Sequence, residues 1–127
     1  MSNGLHVWTQ DCMSRIFPHD TGSRRIAKRV LLYAAQGEVE AFQIGVHADA
    51  PNLLNDLSAQ ASDLTSANGE ILPKENVDIL YADYVPVHWH SAGNPPEDLE
   101  GTAPGFYPDA LLPSLWRAWG APNFRAQ

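Results

Sequence analysis

The sequence predicts an all-β protein, an antiparallel β-sandwich, and three patterns in it point that way. Between Glu38 and Ala48 the chain alternates, with Phe42, Ile44, Val46 and Ala48 on one side and Gln43, Gly45 and His47 on the other, as the period-two geometry of a strand requires. Val77, Ile79, Tyr81, Asp83, Val85 and Val87 repeat the pattern against Asp78, Leu80, Ala82, Tyr84, Pro86 and His88. Between these two segments, Asn68-Gly69 precedes Glu70-Ile71-Leu72, a pair that tolerates positive φ and so marks a hairpin turn.

Taken in order, Leu5-His6-Val7-Trp8-Thr9 reads as an opening strand after Gly4, and Asp11 to Arg25 as an exposed loop anchored by Ile16-Phe17. Val30 to Ala35 is too short for a helix and ends at Gly37, which predicts a strand. The Glu38 to Ala48 strand, a core strand with a polar entrance, stops at Asp49-Ala50-Pro51-Asn52. Leu57, Ala59 and Ala61 alternate with Ser58, Gln60 and Ser62, as in a half-buried antiparallel strand. The long strand from Val77 to His88 carries apolar residues on both sides and is expected to be covered twice along part of its length. From Ser91 to Pro113, Gly93, Pro95, Pro96, Gly101, Pro104, Gly105, Pro108 and Pro113 predict a long irregular loop, because proline lacks the donor a central strand needs. Phe106 and Tyr107 make it a packed loop. An aromatic terminal segment follows, with Trp116, Trp119 and Phe124; large apolar groups left in water forgo about 1.5 to 3 kcal/mol each, so it seeks a partner surface.

The 127 residues suit one domain spanning 1–127. A formal charge of -7 argues against a nucleic-acid partner, which demands clustered Lys and Arg. The one basic cluster, Arg24-Arg25 with Lys28-Arg29, is short and interrupted by Ile26 and Ala27. A single cysteine, Cys12, permits no internal disulfide and reads as an inert small hydrophobe. No stretch approaches the roughly twenty apolar residues of a membrane span, and Met1-Ser2-Asn3-Gly4 lacks a secretory pattern. The sequence therefore predicts a soluble chain, cytoplasmic as it stands or exported if a leader has been removed, with no membrane partner and no cofactor.

Four constellations bear on chemistry. His88-Trp89-His90 sets two imidazoles at i and i+2, a spacing that can begin a metal site, although no third ligand is specified nearby and a hydrogen-bonded pair at a strand end is the plainer reading. Glu38 and Glu40 share that spacing and suggest an acid and base pair for glycoside hydrolysis, against two solvated glutamates at a strand start. Asp109 after Pro108 suits a turn cap better than a cation ligand. Trp89, Trp116 and Trp119 are candidates for stacking against a sugar ring, while most aromatics of a small β domain fill its core. No phosphate loop, nucleophile elbow or helical ligand pair is present.

Four segments in order resemble the N-terminal β-sandwich domain that precedes the catalytic barrel in glycoside hydrolase family 123 and related barrel proteins. These are Leu5 to Trp8, Ala34 to Gln43 (similar to a strand written A-x-x-E-x-E-S-F-Q, with Ala41 at the serine), Val77 to Val87, and Gly105 to Pro113 (similar to a loop written G-x-Y-P-D-x-L-x-P). The resemblance implies a non-catalytic accessory module supporting a following barrel, which is its expected partner beside self-association or carbohydrate. Catalysis belongs to the barrel in that family, so no catalytic residue transfers to this chain. The resemblance also implies that Phe106, Tyr107, Pro108 and Asp109, with Trp116 and Trp119, form the face turned to the barrel. The family's sandwich runs on past the Y-P-D segment with a further tryptophan-containing strand, whereas this sequence stops at Gln127, which implies an incomplete sandwich with an open edge. Two rival functions are a freestanding carbohydrate-binding module using exposed tryptophans and a small metal-dependent enzyme built on His88 and His90.

Overall fold

The structure is a computed structural model that describes residues 4–22, 29–51, 57–93, 95, 97, 99–101 and 103–113. Within them the chain is all-β and antiparallel. Six strands, β1 (Leu5–Asp11), β2 (Phe42–Ala48), β3 (Leu64–Thr65), β4 (Ile71–Leu72), β5 (Leu80–Val87) and β6 (Gly105–Pro113), pair as three two-stranded sheets, with one 3₁₀ turn at Lys74–Asn76. Three separate ribbons fall short of a closed sandwich.

The sheet of β1 and β2 has a simple register in which His6 faces His47, Trp8 faces Gly45 and Gln10 faces Gln43. These pairs share one face, and Leu5, Val7, Ile44, Val46 and Phe42 share the other. The expected division of residues between faces therefore holds, but the expected burial does not. The apolar face lies open, with Ile44 56% exposed, and the opposite face carries the buried side chain. Trp8, 7% exposed, is the one buried large hydrophobic among the described residues. It fits there because its cross-strand partner has no side chain: a methyl on Gly45 would stand 2.3 Å from Trp8 Cε2 and Cζ2, and one on Gly22 would stand 2.0 Å from Trp8 Cδ2. Glycines below and above the indole form its slot. The loop bearing Gly22 is drawn over this face by Gln43, whose Nε2 donates to the carbonyls of Asp11 (2.7 Å) and Ser14 (2.5 Å).

The same loop reaches the sheet of β5 and β6. Arg15 Nη1 donates to Glu100 Oε2 at 2.8 Å, the Tyr84 hydroxyl donates to Ile16 O at 3.0 Å, and Phe17 meets Tyr107 edge to face with centroids 5.3 Å apart. Residues 15–17 thus link the two larger sheets. A Tyr84→Phe variant should lose about 1 kcal/mol with its hydrogen bond, read as a lower urea midpoint. Burial first, then the charge of Asp20, holds the Tyr84 phenol above its ordinary range. A raised folded value means that this group's stabilisation is fully present below about pH 10 and is lost as pH rises through the folded value. The wild-type midpoint is accordingly expected to drop at alkaline pH by a component that Tyr84→Phe lacks. Asp11 behaves oppositely: bonds from the Ser14 hydroxyl and then the Met13 amide lower its carboxyl, so what it contributes is lost on acidification.

Four expectations are corrected. The Gly105 to Pro113 stretch is a strand, β6, in which Pro108 pairs with Tyr84 and Phe106 with Pro86. In a two-stranded sheet each strand has a free outer edge toward which a proline nitrogen can point, so proline is tolerated there, and the bulge between Ala82 and Tyr84 absorbs the irregularity. Val30 to Ala35 belongs to no strand, and Leu31 and Tyr33 are exposed. Residues 57–62 likewise lie in no strand, and the Ala59 amide donates to the Tyr81 hydroxyl at 3.2 Å. Cys12 is an exposed thiol, not a packed hydrophobe. The Asn68-Gly69 hairpin does form, joining β3 to β4, with Gly69 at φ 84° and its amide donating to Ser66 O at 3.0 Å. Arg24, Arg25, Lys28, Asp98, Trp116, Trp119 and Phe124 lie outside the described residues.

Leu80, Phe106 and Leu111 on the second large sheet and Leu64, Ile71 and Leu72 on the small one are exposed as well. Isolated two-stranded sheets are marginal in water, with few side chains to bury between them.

Candidate functional site

The polar and aromatic groups converge in two places. The first surrounds Tyr107 on β6. Its ring lies between Phe17 and His90, with His90 at 6.2 Å and edge on, and Phe17 itself stacks on His19 at 5.7 Å. The Tyr107 hydroxyl is buried and has no hydrogen-bond partner among the described residues. Gly101 passes so close that a methyl there would meet this oxygen at 2.8 Å. His90 Nε2 accepts from the Ala103 amide at 3.0 Å, which places its proton on Nδ1. Tyr107 and His90 hold the 99–103 chain and the 15–17 loop against β6.

The expected site residues divide accordingly. Phe106 and Asp109 are exposed along β6, whereas Tyr107 and Pro108 are half-buried. β5 ends at Val87, so His88 and His90 sit beyond the strand: His88 lies near the Trp89 ring at 5.9 Å, and His90 is bound as described. Trp89 is 78% exposed. Glu38 Oε2 accepts from the Ala35 amide at 2.7 Å and closes the turn before β2, while Glu40 is exposed beside an open groove lined by Thr9, Cys12, Leu31, Tyr33 and Phe42. The two glutamates share no strand, which removes the geometry that suggested an acid and base pair.

The second place was not signalled by sequence spacing. His6 and His47 face each other across β1 and β2, with ring centroids 5.9 Å apart, and Asp49 lies between them. His6 Nε2 meets Asp49 Oδ2 at 2.9 Å, and His47 Nε2 stands 3.7 Å from Asp49 Oδ1. The Asp49 amide donates to Gly4 O at 2.6 Å, which fixes the carboxylate at the end of the sheet. Only register brings these residues together, since 43 positions separate His6 from Asp49. Among the described residues no group of three or more His, Cys, Asp and Glu side chains could hold a metal ion. No helix among them is long and apolar enough to cross a membrane.

An all-β antiparallel chain with open apolar faces is the class this geometry defines. Comparison with known proteins finds no matching family model, no matching curated protein and no matching solved structure.

Proposed function

We propose that this chain is a non-catalytic accessory module of a glycoside hydrolase family 123-like protein, supporting a following catalytic barrel. One observation carries the reading. The four segments that resemble that family's accessory domain each reach one of the four long strands: Leu5 to Trp8 lies on β1, the last two residues of Ala34 to Gln43 on β2, Leu80 to Val87 of the third segment on β5, and Gly105 to Pro113, a loop in the resemblance, on β6. They pair first with second and third with fourth. The open faces of these sheets supply what docking on a larger domain would bury. Of the residues expected to face the barrel, Phe106 projects outward and Tyr107 is turned inward, so the docking contribution belongs to Phe106, joined by Leu111.

Replacing Phe106 with alanine should cost the domain pair about 1 to 2 kcal/mol, a fivefold to thirtyfold change. Limited proteolysis of the polypeptide encoded by the whole reading frame measures it as faster release of this segment. Unchanged release would count against the docking face. A second reading rests on the 78% exposed Trp89, which presents a ring for sugar stacking. A panel of oligosaccharides titrated against tryptophan fluorescence separates the two: a saturable change lost in Trp89→Ala supports carbohydrate binding by this chain, and a flat response supports the supporting role.

A further inference from the structure

We propose that residues 30–34 are a docking segment for a second copy of this chain, paired antiparallel about a two-fold axis at Leu32. The run Val30-Leu31-Leu32-Tyr33-Ala34 belongs to no strand, and among the described residues no backbone hydrogen bond joins it to another element. Its side chains alternate in exposure, with Val30 at 41%, Leu31 at 75%, Leu32 at 42% and Tyr33 at 81%. That is the period of a strand, and both sets of side chains are apolar. An unpaired, exposed segment with this pattern is a template on which another strand can form.

The charges flanking the run select the occupant. Lys28 and Arg29 precede it, and Glu38 and Glu40 follow it. A second copy running in the opposite direction sets basic ends against acidic ones, whereas a parallel copy sets like against like. Glu38 is already in place for this, because its Oε2 accepts from the Ala35 amide at 2.7 Å, which holds the carboxylate at residue 35. In the register centred on Leu32, Arg29 of one copy stands opposite Ala35 of the other, beside that carboxylate. Leu31 then faces Tyr33, the two most exposed side chains of the run, and Val30 faces Ala34. Two-fold symmetry makes each of these contacts twice. Phe106 and Leu111, assigned above to the barrel, take no part, so the dimer and the accessory role can fail separately.

Sedimentation velocity of the tag-free chain from about 1 to 300 µM is the test. The expected result is a concentration-dependent dimer whose Kd rises at least about tenfold in Leu32→Pro, which removes a ladder donor from an exposed segment, and about threefold or more in Arg29→Glu at low salt. A chain that stays monomeric throughout, or a dimer whose Kd is unchanged in Leu32→Pro, overturns the proposal. A second measurement does not depend on proline: in a Cys12→Ser background, Leu32→Cys should cross-link two copies on mild oxidation, since a residue on the axis meets its own counterpart. Val39→Cys, at a position 91% exposed, should cross-link at least about tenfold more slowly. Equal rates overturn the proposal. So does protection of the 30–34 amides from hydrogen exchange that appears only in the polypeptide of the whole reading frame, which would give this segment to the following domain.

Discussion

Trp8→Ala is expected to remove the cooperative unfolding transition of this protein. A buried Trp or Phe cut to alanine costs about 3 to 5 kcal/mol, and a domain of this length holds roughly 5 to 15 kcal/mol in all. Here the loss falls on the one large side chain that is buried among the described residues. Two positions that meet it, Gly22 and Gly45, are glycine and have no side chain to fill the space. Urea unfolding followed by circular dichroism measures the effect. A sloping, non-cooperative signal is expected for the variant, and a midpoint within about 1 kcal/mol of wild type would show that stability resides elsewhere.

Gly45→Ala has the second largest expected effect and tests the slot from its other wall. The added methyl would stand 2.3 Å from two indole carbons, well inside contact distance, so either the ring or the strand has to move. Overpacking of this kind costs about 1 to 3 kcal/mol. Gly37→Ala is the control: φ is 81° there, yet no atom stands within 4 Å of the added methyl, so its cost is backbone strain alone, about 1 kcal/mol. If the clash is with the indole, Gly45→Ala should be less damaging in a Trp8→Phe background than in wild type. Strict additivity of the two substitutions would place the cause away from their contact.

How much of this was legible follows the range of the interactions. Alternation set β1, β2 and β5, and Asn68-Gly69 set the hairpin, because side-chain period and turn chemistry act within a few residues. β6 was hidden by Pro108 and Pro113, which argue against a central strand but not against a strand with a free outer edge. The alternation of Leu57 to Ser62 misled for the converse reason: period two creates a face but supplies no partner. Which face of the β1 and β2 sheet is covered depends on the loop over Trp8, and sequence holds no sign that Gln43 would bind the carbonyls of Asp11 and Ser14. His6, His47 and Asp49 converge through strand register, which no local spacing reports. His88 and His90 had the suggestive spacing and are separated by the end of β5.

The open apolar faces turn these particulars into one account of function. Leu5, Phe42 and Ile44 on the first large sheet and Leu80, Phe106 and Leu111 on the second are exposed, and among the described residues the 15–17 loop links the two sheets. On the proposed function, a following domain covers these faces.

Hydrogen exchange of residues 1–127 alone and within the polypeptide of the whole reading frame tests that claim most directly. The account predicts that amides of β6 and of the outer edge of β2 exchange at least tenfold more slowly in the longer protein, and that Phe106→Ala erases much of the difference. Identical exchange in both, or a reading frame that encodes no further domain, would contradict it.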